Sequence, residues 1–162
     1  MDIRNKIINI LREDGRTGDR DIAVMLDTEE SKVREIRKEL EENDIIKKYS
    51  VVLNSEKLDN HPVFAFIDCK VTPTKGVGYD DIAKKIYKFP EVHSLFLVSG
   101  VCDLRVVVKG KTMQDVAFFV AEKLAREEGI LSVQSSFLLR TYKSDGYLLF
   151  EEPKDERLQI TP

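Results

Sequence analysis

Apolar residues in the first forty positions recur at intervals of three and four, and the spacing predicts three short amphipathic helices. Ile3, Ile7, Ile10 and Leu11 form the first, behind Asp2 as N-cap and ahead of Asp14-Gly15 as a stop. Thr17 is the expected cap of a second helix carrying Ile22, Ala23, Met25 and Leu26, with Asp19 in its first turn complementing the dipole. Leu26-Asp27-Thr28 breaks the period, and Thr28 is the expected cap of a third helix, 28–43, with Val33, Ile36 and Leu40 on its apolar side. Two helices joined by a turn of about three residues form a helix-turn-helix. That motif wants a small residue at the crossing, which Ala23 supplies, and a turn residue that accepts positive φ, which Asp27 does at modest cost.

Beyond Asp44 the period shifts toward two. Segment 45–54 reads as a strand, and Asn54 to Pro62 as the boundary between two domains. Strand patterns follow at 63–71, 92–99, 104–109 and 131–142, with helices at about 80–89 and 112–126, the second opening on the capping box Thr112-Met113-Gln114-Asp115. Asp81-Ile82-Ala83 in one helix echoes Asp115-Val116-Ala117 in the other. The expected fold is therefore α+β: an N-terminal helix-turn-helix followed by a ferredoxin-like βαββαβ domain with a four-stranded antiparallel sheet. The chain divides into a helix-turn-helix domain (1–50), a strand and linker (51–62), the βαββαβ domain (63–142) and a C-terminal tail (143–162).

Phe64-Ala65-Phe66-Ile67, Leu95-Phe96-Leu97-Val98 and Leu104 to Val108 are apolar on nearly consecutive residues, so both sheet faces are expected to be shielded from water. Two helices cover one face. The expected cover for the other is a second copy, giving a homodimer; the alternative is that the N-terminal domain or the tail folds back over it.

Composition narrows the classes. The chain has 162 residues, 42% of them hydrophobic and 34% charged, with no apolar stretch near the roughly 20 residues a bilayer crossing needs. No membrane partner is expected, and without an export signal at the N-terminus the expected location is cytoplasmic. Cys69 and Cys102 lie 33 positions apart with no neighbouring Cys or His, so two reduced thiols, no metal and no cofactor are expected. Net charge is −3, so an anionic partner must be held by local charge.

The third helix offers that arrangement for double-stranded DNA. In the major groove it would bring Ser31, Lys32 and Arg34 to base edges, with Arg16, Arg20, Arg37 and Lys38 on phosphates. The alternative is a trihelical packing module with merely solvated charges: segment 1–50 holds 11 basic and 13 acidic residues, and Glu29-Glu30 sit at the end that would approach DNA. In the second domain, Ser99-Gly100-Val101-Cys102-Asp103 is a tight polar turn between two buried strands, in which Gly100 permits close backbone approach and Asp103 suits an amino group. Taken alone it is a hairpin turn.

Over about 1–142 the chain resembles the Lrp/AsnC (leucine-responsive/asparagine-responsive, or feast/famine) regulators. The resemblance rests on Leu40-Glu41-Glu42-Asn43-Asp44-Ile45-Ile46, similar to Leu-Glu-x-x-Gly-x-Ile; on Tyr49-Ser50-Val51-Val52-Leu53-Asn54; and on Val98-Ser99-Gly100-Val101-Cys102-Asp103, similar to Val-Thr-Gly-x-Tyr-Asp. It implies a DNA-binding transcription regulator that dimerises through its sheets and assembles further, to tetramers or octamers. It also implies an amino-acid-like effector at Ser99, Gly100, Val101, Cys102 and Asp103. Asp44 stands where Gly is usual and Cys102 where an aromatic is usual, and Gly146 to Phe150 reads as an added edge strand.

Two other classes compete. An enzyme is disfavoured: His61 and His93 lie in a linker and a strand, no nucleophile signature is present, and Gly76-Val77-Gly78 is a lone Gly-x-Gly that reads as linker. The second is a small-molecule sensor or scaffold of the same fold without DNA affinity.

Overall fold

A computed structural model describes residues 2–73 and 78–150. The chain divides into two compact units, one ending at Leu53 and the other beginning at Asn54.

The first unit is three helices: α1 (Ile3–Glu13), α2 (Asp19–Leu26) and α3 (Glu30–Glu42). The periodic residues make its core, with Ile7, Leu11, Ile22, Ala23, Val33 and Leu40 buried and Ile3, Ile10, Leu26 and Ile36 packed around them. Burying each of the larger aliphatic side chains contributes about 1.5–3 kcal/mol. Asp27 adopts the left-handed conformation (φ 49, ψ 56) that the turn requires.

Both expected threonine caps are displaced. The Thr17 hydroxyl and N–H both donate to the Asp14 carbonyl at the end of α1 (2.8 and 3.1 Å), and Gly18 becomes the N-cap of α2. The Thr28 N–H donates to the Ala23 carbonyl (3.0 Å) and so closes α2. Glu29 is therefore the N-cap of α3, which starts two residues later than its polar boundary suggests. Its other end is a Schellman closure, with the Asp44 N–H on Glu41 O (3.1 Å), the Ile45 N–H on Leu40 O (2.9 Å) and Asp44 at φ 60.

Segment 45–54 forms no strand, because no neighbouring strand supplies a ladder for it. Ile46 instead packs on the three-helix core, and Tyr49 is tied to α3.

In the second unit a turn of 3₁₀ helix at Ser55–Lys57 precedes β1 (Val63–Val71), α4 (Tyr79–Ile86), β2 (Val92–Leu97), β3 (Leu104–Gly110), α5 (Met113–Glu122) and β4 (Ile130–Phe137). All pairings are antiparallel, in the order β2-β3-β1-β4. Gly78 caps α4, whereas Gly76 and Val77 of the Gly-x-Gly lie outside the described residues. The Thr112/Asp115 capping box forms as expected, at 3.1 and 3.0 Å.

Three boundaries are shorter than their patterns. β2 ends at Leu97 because the Val98 N–H turns to the Asp103 carbonyl and closes the hairpin (2.9 Å). α5 breaks at Lys123, and a 3₁₀ turn seats Leu124 in the core. β4 ends at Phe137, opposite Ala65, because β1 begins at Val63 and leaves it only one more bond, from the Leu138 N–H to Phe64 O.

Ala65, Ile67 and Cys69 on β1 and Leu104, Val106 and Val108 on β3 face the two helices, meeting Ile82, Ile86, Val116, Phe119 and Val120. The opposite face is mixed rather than continuously apolar. Alternation and register put Phe64, Phe66, Phe96 and Val107 there beside Asp68 and Arg105, while β4 adds Ser132, Gln134 and Ser136.

Gly146 to Phe150 does not extend this sheet. Tyr147–Leu148 (β6) pairs with Lys143–Ser144 (β5) in a hairpin whose turn, Asp145 (φ 46) and Gly146 (φ 89), has the two positive φ values of the tightest hairpin connection. Local turn chemistry outcompetes a distant edge. The hairpin is held by Asn54 Nδ2 donating to Leu149 O (2.8 Å) and by Arg140 on Glu56 (2.8 Å). The tail residues Glu151 to Glu156 lie outside the described residues.

Candidate nucleic-acid interface and effector site

Helix α3 exposes Ser31, Lys32, Arg34 and Lys38, while Val33 and Leu40 point into the core. Its charges alternate over the first part, where Glu30 and Glu35 lie among Lys32, Arg34, Arg37 and Lys38, whereas the last turn carries Glu39, Glu41 and Glu42 and no basic residue. Acids at a helix C-terminus oppose the macrodipole. The acidic last turn therefore costs helix stability, and it suits a polyanion less than the part of α3 that precedes it.

The exposed cations differ in what holds them. The Lys32 and Arg20 side chains have no hydrogen-bond or ion-pair partner among the described residues. Arg34 pairs with Glu30 one turn away and lies 3.7 Å from Asp19, and the Ser31 hydroxyl donates to Glu29 (3.2 Å). Lys38 lies 3.6 Å from Glu42, and Arg16 folds back on Asp14, whose carboxyl its guanidinium holds below the usual range. These pairs are solvent-exposed and weak, so a phosphate or base can displace them.

Arg37, expected on a phosphate, is turned inward instead. Its side chain is 19% exposed, and Nη1 donates to Asp19 Oδ1 at 2.7 Å, Nη2 to the Thr17 carbonyl at 3.4 Å and Nε to the Tyr49 hydroxyl at 2.9 Å. The guanidinium also lies over the Tyr49 ring at 5.2 Å, and the phenol donates on to Glu41 at 2.7 Å. Burial works against the Arg37 charge, but its bonds to Tyr49 and Asp19 outweigh this and hold its pKa above the ordinary value. Burial likewise pushes the Tyr49 phenol up, with Arg37 opposing and Glu41 reinforcing. One guanidinium thus ties the start of α2, the middle of α3 and the segment after it.

In the second unit the β2–β3 hairpin carries Ser99 and Gly100 exposed at its tip and Val101 94% exposed beside them. Gly100 sits at φ 139 with open space where a Cβ would project, so backbone conformation, not crowding, requires glycine there. Cys102 is buried.

Asp103 is engaged twice. Oδ2 accepts the Val71 N–H at 3.0 Å, Oδ1 accepts Lys70 Nζ at 3.2 Å, and its own N–H donates to Cys69 O at 3.0 Å. The Val71 amide, then Lys70, holds its carboxyl below the usual range despite partial desolvation. It seals the end of β1 and is not a free acceptor for an amino group.

Pattern reading missed two things. Asp19 and Tyr49, the partners of Arg37, lie 18 and 12 positions from it, beyond any helical or strand period. A cleft between α4 and β2, with Tyr79, Asp80 and Tyr87 on its rim, also went unseen; the i, i+1, i+8 spacing of the three on one helix side was the available signal. Among the described residues no group of three or more His, Cys, Asp or Glu side chains gathers as a metal cage, and no helix is long and apolar enough to cross a membrane.

Comparison with known proteins agrees with this arrangement. Residues 2–47 match a winged helix-turn-helix DNA-binding model, and residues 64–148 match the Lrp/AsnC ligand binding domain. The chain is 40% identical over 158 residues to the HTH-type transcriptional regulator YugG of Bacillus subtilis, covering 97% of this chain and 95% of that protein. It is 32% identical over 142 residues to the HTH-type transcriptional regulator FL11 of Pyrococcus furiosus, covering 88% and 91%. Among solved structures, the transcriptional regulator NMB0573 in complex with L-Met from Neisseria meningitidis superimposes with a TM-score of 0.71 at 27% identity, over 89% of this chain and 92% of that one. The E. coli AsnC structure shares the fold, with a TM-score of 0.69 over 89% of this chain and 95% of that one at 16% identity. These relatives are regulators, not enzymes, and the chain belongs to the Lrp/AsnC family of helix-turn-helix, DNA-binding transcriptional regulators.

Proposed function

We propose that this regulator reads double-stranded DNA through the N-terminal half of α3, as a homodimer joined across the open faces of its sheets. Ser31, Lys32 and Arg34 approach base edges, and Arg16, Arg20 and Lys38 contact phosphates. Arg37 acts from behind, fixing α3 against α2. The observation that supports this reading is that Ser31, Lys32, Arg34 and Lys38 stand exposed on α3 ahead of its acidic last turn, on the helix that follows the left-handed Asp27 turn. Phe64, Phe66, Phe96 and Val107 supply the apolar centre of the dimer face, and Asp68–Arg105, a two-bond ion pair at 2.7 and 2.9 Å, supplies its polar part. Assembly beyond the dimer, to tetramers or octamers, and a cytoplasmic location accord with the family.

The small-molecule partner is an amino-acid-like effector in the second unit, at or beside Ser99, Gly100, Val101, Cys102 and Asp103. Support comes from the match to a ligand binding domain and from the L-Met complex of the Neisseria regulator. The test is binding of the full chain to its own upstream DNA across a salt series. Phosphate neutralisation gives a steep negative slope of log K against log salt. A flat or absent response would favour the other reading, a sensor of the same fold without DNA affinity.

A further inference from the structure

We propose that Tyr49 is a positioning residue for DNA reading: its hydroxyl keeps Arg37 on Asp19 and so leaves Arg34 free for a base. The proposal rests on the α3 reading above and concerns the first unit alone.

Tyr49 opens the stretch from Tyr49 to Leu53, which follows α3 and forms no strand. Its ring is seated on the turn between α1 and α2, where a Cβ added to Gly15 would come within 3.1 Å of Tyr49 Cδ1. From that seat the hydroxyl reaches α3 and stands between Arg37 and Glu41, accepting from Nε at 2.9 Å and donating to Oε1 at 2.7 Å. Arg37 and Glu41 are one helical turn apart, a spacing at which opposite charges pair directly. Here Nε and Oε1 lie 3.9 Å apart, too far for a hydrogen bond. The hydroxyl satisfies both groups in place of that pair.

Arg37 therefore stays on the start of α2, with Nη1 donating to Asp19 Oδ1 at 2.7 Å and Nη2 to the Thr17 carbonyl at 3.4 Å. A second guanidinium borders the same carboxylate: Arg34 Nε lies 3.7 Å from Asp19 Oδ2. The other partner of Arg34, Glu30, is exposed and releases it readily, whereas Asp19 is mostly buried and attracts a cation through less solvent screening. Two guanidiniums thus share one carboxylate, and Arg37 holds the nearer position.

Without the hydroxyl, Glu41 is the acceptor next in reach of Arg37 Nε. Movement toward Glu41 draws the guanidinium along α3 and away from Asp19, and a mostly buried carboxylate left without its partner takes Arg34 in exchange. The side chain assigned to base edges is then withdrawn from the duplex, although neither Tyr49 nor Arg37 touches DNA.

The test is quantitative gel shift of the full chain on its own upstream DNA, with Tyr49→Phe, Arg34→Ala and Glu41→Ala singly and with Tyr49→Phe combined with each of the other two. Phenylalanine keeps the ring on Gly15 and removes only the hydroxyl. Tyr49→Phe should weaken binding by about threefold, the size of one exposed ion pair gained in the free protein. Adding Tyr49→Phe to Arg34→Ala should cost nothing further, because no reader is left to capture, and adding it to Glu41→Ala should cost nothing because Arg37 has no competing acceptor. A merely structural role for Tyr49 predicts the same threefold loss in all three backgrounds, and that result would overturn the proposal. Wild-type binding by Tyr49→Phe alongside weakened binding by Arg34→Ala would overturn it too, and would leave the α3 reading standing. Unchanged binding by Arg34→Ala would overturn both together.

Discussion

Arg37 Nη1 lies 2.7 Å from Asp19 Oδ1, with both side chains only 19% exposed, so the cation nearest the middle of α3 faces inward. Removing one partner leaves the other partly buried and unpaired. Arg37→Ala and Asp19→Ala should each destabilise the first unit by about 1–3 kcal/mol. Arg37→Lys should not restore stability, because an ammonium cannot span Asp19, Thr17 and Tyr49 at once. Lys38→Ala, on the exposed side, should stay within about 0.5 kcal/mol of wild type. Urea unfolding of the four variants checks all three expectations.

Asp44 holds the left-handed position at the end of α3 (φ 60), and its carboxylate adds negative charge to a helix end that already disfavours it. Asp44→Gly should raise stability by about 0.5–1 kcal/mol, since glycine adopts this conformation without a Cβ clash. The exposed Lys47 contact at 2.5 Å that it gives up contributes little. A higher urea midpoint at unchanged slope is the expected signature.

Asp103 should mark the acid limb of stability. Its folded pKa is depressed by the Val71 amide first and Lys70 second, so its contribution is complete above the unfolded value of about 3.9 and is lost as pH falls through the folded pKa. Asp103→Asn keeps an acceptor for Val71 but cannot titrate. Its thermal midpoint should therefore fall less steeply than that of wild type below about pH 4.

The cations proposed for DNA should separate by role. Arg34→Ala should cost about 1–3 kcal/mol on the preferred sequence and relax the preference at one position. Arg16→Ala, Arg20→Ala and Lys38→Ala should weaken all sequences alike and lower the salt slope by about 1 each. Glu30→Gln releases Arg34, and Glu29→Ala removes a carboxylate from the approaching end, so both should strengthen binding. Quantitative gel shift on matched and scrambled duplexes distinguishes the classes.

What pattern alone revealed follows from how local each cause is. β1 begins at Val63 and ends at Val71, where its pattern begins and ends, and Asp27 is left-handed as the turn demands, because alternation and backbone chirality act over a few residues. The caps at Thr17 and Thr28 were misplaced because two nearby carbonyls, Asp14 and Ala23, compete for the hydroxyl and the N–H respectively. β4 was read five residues too long because its end depends on where β1 starts, some seventy positions earlier. In the sites, exposure of Lys32 and Arg34 was legible from helical spacing, whereas the inward turn of Arg37 and the double engagement of Asp103 depend on partners that only the fold brings near.

The proposed dimer joins two copies through the sheet face that carries Phe66 and Phe96 and so presents two α3 helices to one duplex. Sedimentation equilibrium at micromolar concentration tests this most directly: the chain should sediment as at least twice its 18.6 kDa mass, and Phe66→Asp should shift it toward one copy with a parallel loss of DNA affinity. A wild-type chain that sediments as a single 18.6 kDa species would contradict the account.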